Sequence, residues 1–166
     1  MIEKTVFTNS VLTKVIKDIY DIDIYEITKL NRGSANVFSL NNNKYILKEF
    51  QSKYTPQDIL KEITIINHLK KDLIPAPEYI KTKDKNYYFV YKNKVIIMQK
   101  FIEGYTIKSN EGTHDQLIES SMYLGKIIKS LQTLEIKLPK TDITTWYSKE
   151  TINSSILKIK DLLNKT

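Results

Sequence analysis

The run Tyr45-Ile46-Leu47-Lys48-Glu49-Phe50 puts a lysine in the middle of what reads as a β-strand. Side chains alternate along a strand, so residues 46, 48 and 50 share one face. Lys48 therefore projects beside Ile46 and Phe50, where an ammonium is costly unless an anion meets it. Just upstream, Leu30-Asn31-Arg32-Gly33-Ser34-Ala35-Asn36-Val37-Phe38-Ser39-Leu40 reads as a strand, a glycine-containing turn and a second strand. A short polar turn leads from there into the lysine strand. A backbone-rich turn beside a half-buried lysine is one way proteins hold nucleotide phosphates.

The following segment offers the lysine a partner. Thr55-Pro56-Gln57-Asp58 has the form of a helix start, with Thr55 as cap, Pro56 in the first turn and Asp58 three residues after the cap. The helix is expected to run to about Leu69, with Ile59, Ile63, Ile66 and Leu69 as its apolar stripe. Glu62 falls at helical spacing from Ile59 and Ile66. Two readings fit that position: Glu62 faces inward and meets Lys48, or it edges the stripe and stays in water.

The order of these elements resembles the nucleotide-binding lobe of the protein-kinase-like fold, in its aminoglycoside phosphotransferase and choline-kinase-like branch. Gly33-Ser34-Ala35-Asn36-Val37-Phe38 is similar to that branch's G-x-x-N-x-[VL]-[FY] turn, with Val-Phe one step early. Tyr45-Ile46-Leu47-Lys48 resembles the third-strand lysine motif, and Glu62 matches the helix glutamate that pairs with it. Val95-Ile96-Ile97-Met98-Gln99-Lys100-Phe101-Ile102-Glu103-Gly104 resembles the fifth strand and hinge, ending in the E-G or D-G frequent in the family. The likeness covers most of residues 22–135.

The resemblance implies a nucleotide site, for ATP or GTP, made of Gly33, Ser34, Asn36, Ile46, Lys48, Glu62, Met98, Gln99 and Phe101. Lys48 would hold the α- and β-phosphates, oriented by Glu62, under donors from Gly33 and Ser34. Ile46 would pack on the base, with Met98 at the back of its pocket. The carbonyl of Gln99 and the amide of Phe101 would bond the base edge. Ordinary core remains the other reading of Ile46 and Met98.

Phosphoryl transfer also needs a positioning aspartate and a metal-holding carboxylate. The related families supply them in H-x-D-x-x-x-x-N and a later aspartate. Here His68 lies in the Glu62 helix, and His114-Asp115 lacks both the intervening residue and the downstream Asn. Asp115 reads instead as a first-turn residue favoured by the helix dipole. No catalytic and no metal-binding residue is therefore assigned. The chain is expected to be the nucleotide-binding portion of a longer phosphotransferase, with Mg and the small-molecule hydroxyl acceptor needing the remainder. The alternative is a non-catalytic module, either a degenerate pseudokinase or an interaction domain.

The fold expected is α+β. A nucleotide-binding lobe over 1–104 holds a five-stranded antiparallel sheet, its pairing helix and a hinge at 98–104. Residues 105–166 begin a helical lobe. Ser10–Tyr20 reads as an amphipathic helix behind the sheet, Tyr87–Tyr91 and Val95–Phe101 as a hairpin, and about Thr113–Leu134 as a helix. That last segment carries Leu117, Ser121, Leu124, Ile128 and Leu131 on one face, and its stretch from Leu124-Gly125 to Leu134 resembles the family's L-G-x-x-L-x-x-L-H-x-L helix, with Gln132 where histidine is usual. From Glu150 to Leu163, residues Ile152, Ile156, Ile159 and Leu163 repeat at helical spacing, so a homodimer through 150–163, or folding back on the preceding helix, is expected.

Charge and composition narrow the partners. The net charge is +7, but lysines are scattered through nearly every element and Arg32 is the sole arginine. Base readers favour the bidentate guanidinium, so a basic nucleic-acid-binding domain ranks last. The absence of cysteine removes disulfide frameworks and thiolate metal sites. No long apolar run and no signal peptide are seen, so a cytoplasmic location without membrane contact is the expectation.

Overall fold

The structure, a computed structural model, describes residues 3–30, 34–108 and 110–135. They belong to a compact unit, Met1–Leu134, except for Glu135, which opens a separate unit ending at Thr166. The 150–163 stripe expected to mediate a dimer lies outside the described residues.

Five antiparallel strands form one sheet in the order β1-β2-β3-β5-β4: β1 Ile27–Leu30, β2 Asn36–Leu40, β3 Tyr45–Glu49, β4 Tyr88–Tyr91 and β5 Lys94–Lys100. Short turns explain why sequential strands pair. Asn41, Asn42 and Asn43 all take positive φ between β2 and β3, a conformation asparagine tolerates better than most residues. Lys92 and Asn93, both at positive φ, close the two-residue β4–β5 hairpin.

Helices cover both faces of the sheet. α1, Asn9–Tyr20, is capped by the Thr8 hydroxyl, which accepts from Val11 N–H, and it stops at Asp21 in the left-handed region. Its Leu12, Ile16 and Tyr20 pack with Phe38, Leu40, Leu47, Ile96 and Met98. α2, Pro56–Lys71, starts with the expected capping box between Thr55 and Asp58. Its Ile59 and Ile63 pack on the other side with Val95, Ile97 and Tyr79. Burial on both faces explains why β5 reads Val-Ile-Ile-Met without alternation.

One charged cluster sits inside the α1 face. Glu49 is fully buried and accepts from Lys94 Nζ at 2.8 Å, Asn36 Nδ2 at 3.1 Å, Val6 N–H at 3.3 Å and the Thr5 hydroxyl. Lys94 Nζ also donates to the Lys4 carbonyl at 2.8 Å and lies 3.3 Å from Glu3 Oε2. Burial alone would lower the Lys94 pKa, but the hydrogen bonds and charges of Glu49 and Glu3 outweigh it and hold it above the ordinary 10.5. The network pins the segment before α1 to β3 and β5.

α3, His114–Leu131, also begins with a capping box, Thr113 with Gln116. It meets α2 where His68 Nε2 lies 2.9 Å from the Ser130 carbonyl. The face expected to be apolar is there, but Leu117, Leu124, Ile128 and Leu131 are exposed.

Candidate nucleotide site

The expected site falls into two groups on opposite faces of the sheet. Register makes this explicit: Val37, Lys48 and Ile97 lie side by side across β2, β3 and β5, and Ser39, Ile46 and Gln99 form the adjacent row. Paired residues in antiparallel strands project to the same side, and Ile97 belongs to the α2 cluster. Lys48, Ile46 and Gln99 therefore share the α2 face. Lys48 is half-buried there, and Ile46 and Gln99 are buried.

Two expected residues stand on the other face. Met98 is fully buried in the α1 cluster, opposite Leu47. It lies on the face of the sheet opposite Lys48. Asn36 pairs across to Glu49, and its Nδ2 donates to Glu49 Oε1 and to the Glu3 carbonyl at 2.9 Å. Its side chain is committed to the buried ionic cluster. Both departures have one cause: with a side-chain period of two, a shift of one residue moves a side chain through the sheet.

Glu62 does face inward, yet its partner differs from the expected one. The Tyr79 hydroxyl donates to Glu62 Oε1 at 2.6 Å. No ion pair joins Lys48 to Glu62, or to any other carboxylate, among the described residues. Tyr79 comes from the extended segment after α2 and forms a lone antiparallel bridge with Gln99. Burial, and then the Glu62 carboxylate, pushes its phenol pKa far up, so it stays a neutral donor.

The end of β5 also differs from expectation. The Phe101 N–H donates to the Lys44 carbonyl at 3.1 Å, so it is used by the sheet. By the alternation of antiparallel bonds, the neighbouring pair Ile46 and Gln99 exchanges its backbone bonds, which occupies the Gln99 carbonyl as well. On the outer side Ile80 N–H donates to the Met98 carbonyl at 2.8 Å, and Lys100 N–H to the Glu78 carbonyl at 2.9 Å. The Lys100 carbonyl and the Ile102 N–H have no hydrogen bond among the described residues. An acceptor followed two residues later by a donor is thus left at the strand end.

A side chain on this face is also unsatisfied. Gln99 Oε1 is buried without a hydrogen-bond partner, as are Tyr20 Oη and Ser130 Oγ elsewhere among the described residues. Such atoms are uncommon in folded proteins. Just before β2, the Ser34 carbonyl accepts from Gln51 Nε2 at 2.7 Å. Gly33 is outside the described residues.

Comparison with solved structures agrees with this architecture. An amicoumacin kinase, solved with AMP-PNP, Ca2+ and its ligand, superposes with a TM-score of 0.70 at 16% identity, over 96% of this chain and 53% of the other. A spectinomycin phosphotransferase solved with ADP and spectinomycin gives 0.63 at 19% identity, over 96% and 57%. An aminoglycoside phosphotransferase from Alicyclobacillus acidocaldarius gives 0.61 at 11% identity, over 88% and 41%. The chain has the kinase-like fold. It spans about half the length of these structures. No protein-family model matches the sequence, and no curated protein does.

Within that kinase-like fold, Tyr79 is the partner of Glu62 that sequence reasoning missed. No local signal could have found it, because the Glu62 contact spans 17 residues and rests on a single bridge. The role of Gln99 was assigned to its backbone, whereas its side chain is the unpaired group. Alternation from Lys48 through the β3–β5 pairing would have revealed this, had the register been known.

Proposed function

We propose that this chain binds a purine nucleoside triphosphate on the α2 face of the sheet, as the nucleotide-binding portion of a small-molecule phosphotransferase. The observation that carries the reading is Lys48: a half-buried ammonium, without an ion pair among the described residues, on the face shared with Ile46, Gln99 and α2. Such a cation is suited to phosphate oxygens, and Glu62 on α2 is the carboxylate available to orient it. Ser34 would bring donors over the phosphates, as the sequence pattern implies, and Ile46 would pack on the base.

The base edge would be met one residue later than the sequence pattern suggests. The free Lys100 carbonyl and Ile102 N–H supply the acceptor and donor, in place of Gln99 and Phe101. Gln99 replaces Met98 at the back of the base pocket. The lobes would join at about residue 104, where Gly104 takes a φ of 148° that other residues avoid. Two of the similar structures were solved with nucleotides, AMP-PNP in one and ADP in the other, which supports a nucleotide as the ligand but does not bear on these positions.

The described residues include no group of three metal-ligating side chains. A magnesium ion would be held by carboxylates outside this lobe together with the nucleotide phosphates. In the complete protein the acceptor would be a hydroxyl of a small molecule, with the catalytic carboxylates supplied outside this lobe. No helix among the described residues is long and apolar enough to cross a membrane.

Calorimetric titration with ATP and with GTP tests the reading. Saturable binding that Lys48→Ala weakens at least tenfold, with an unchanged melting curve, is the expected result. Equal binding by wild type and Lys48→Ala would overturn it, as would the absence of binding to either nucleotide.

A further inference from the structure

The reading above gives Glu62 the task of orienting Lys48, but a glutamate on a helix has three side-chain torsions to settle. The structure shows what settles them. Tyr79 Oη donates to Glu62 Oε1 at 2.6 Å, and the Tyr79 ring is buried among Ile59, Ile63, Val95 and Ile97. The phenol is itself fixed through its backbone, because Tyr79 bridges Gln99, while Ile80 N–H and Lys100 N–H bond across on either side. Gln99 in turn pairs with Ile46, two residues from Lys48 on β3. Tyr79 therefore ties the α2 carboxylate to the sheet that carries the lysine.

We infer that Tyr79 is a positioning residue for the phosphate-binding lysine: its hydroxyl fixes the Glu62 carboxylate through Oε1 and leaves Oε2 to receive Lys48 when a nucleotide binds. The chemistry favours support over competition. A carboxylate has two oxygens with about four acceptor sites, so one phenol does not exhaust it. A neutral hydroxyl also leaves the negative charge intact, and an ammonium forms the stronger, charge-assisted bond. Burial keeps Tyr79 protonated, so it can only donate to the carboxylate.

The inference rests on the nucleotide reading and makes a claim of its own. Only ligands with phosphates should sense Tyr79, since it acts through Glu62 and Lys48 and not through the base pocket. Tyr79→Phe keeps the ring in the α2 cluster and removes one hydroxyl. ATP and adenosine are titrated into the wild-type chain and into Tyr79→Phe, Glu62→Gln and the double variant. The expected result is about a tenfold loss of ATP affinity in Tyr79→Phe, the scale of one hydrogen bond to a charged group, with adenosine affinity unchanged. The double variant should bind ATP no more weakly than Glu62→Gln alone, because both act on one element.

Equal losses for ATP and adenosine would reduce Tyr79 to a packing role and overturn the inference. Unchanged ATP binding would do the same, and so would tighter ATP binding, which would mean that the phenol competes with Lys48. Any of these, with wild-type ATP binding intact, leaves the nucleotide reading standing. A wild-type chain that binds neither ligand overturns both.

Discussion

Replacing Lys94 by Met tests whether the ionic cluster behind the sheet holds the lobe together. Glu49 is fully buried, Lys94 is almost so, and their charged atoms are 2.8 Å apart. Lys94→Met keeps most of the side-chain volume and leaves Glu49 charged among neutral donors from Thr5, Val6 and Asn36. Breaking a buried pair from one side costs about 3–5 kcal/mol. With a urea slope of about 1.5 kcal/mol per molar, the unfolding midpoint should fall by roughly 2–3 M. The double variant Glu49→Leu/Lys94→Met removes both charges and should recover most of that loss, since apolar replacement of a whole buried pair is often neutral or better. Urea unfolding followed by circular dichroism gives all the values needed for the cycle. The reasoning is refuted if Lys94→Met alone costs less than about 1 kcal/mol, because an uncompensated buried carboxylate cannot be that cheap. Alkaline pH supplies a further check of sign. The folded-state pKa of Lys94 is raised above 10.5, so its contribution is complete below that value and is lost as the pH climbs through the raised one.

The α2 cap gives a second, smaller effect: Thr55→Ala should cost about 1 kcal/mol in the same assay. The Thr55 N–H and hydroxyl hold the Asp58 carboxyl below its ordinary 3.8, so the cap should support the fold above that pH and fail as the pH falls through the lowered value, which amide exchange in the first turn of α2 would report. Ile59 is 2% exposed, and Ile59→Ala should destabilise the chain by about 2–5 kcal/mol on thermal or urea unfolding. Gln99→Met removes a buried acceptor with no partner and should stabilise the unliganded chain by about 1 kcal/mol, whereas a loss of stability would mean that the amide is satisfied after all.

Much of this lobe could be read locally. The Thr55–Asp58 capping box, the α2 stripe and the inward face of Lys48 follow from short-range periodicity, and all three are in the structure. What escaped depends on contacts between distant residues. Glu49 and Lys94 meet across 45 positions, although a hint was present: Lys48 and Glu49 are adjacent on a strand covered on both faces, so one charge had to be buried on each side. The stripe on α3 illustrates the opposite limit. Periodicity identified Leu117, Leu124 and Ile128 as one face, but it cannot say what covers a face, and here they are exposed.

The nucleotide edge of the site turns on a single register. The resemblance of Val95–Gly104 to the family's fifth strand and hinge implies Met98 at the back of the base pocket, with ordinary core as the other reading. Strand pairing decides otherwise: Met98 stands opposite Leu47, and Gln99 stands opposite Ile46 on the lysine face. The backbone agrees, since the Phe101 N–H is bonded to Lys44 while the Lys100 carbonyl and Ile102 N–H have no hydrogen bond among the described residues. Side-chain parity and backbone parity are linked in any strand, so moving the pocket residue from 98 to 99 must also move the free acceptor from 99 to 100 and the free donor from 101 to 102. Three assignments thus change together, and backbone amide shifts on adding ATP can check them at one point. Perturbation centred on Ile102, with Phe101 shielded by its bond to Lys44, is the pattern this register requires; the reverse would restore Met98 to the pocket.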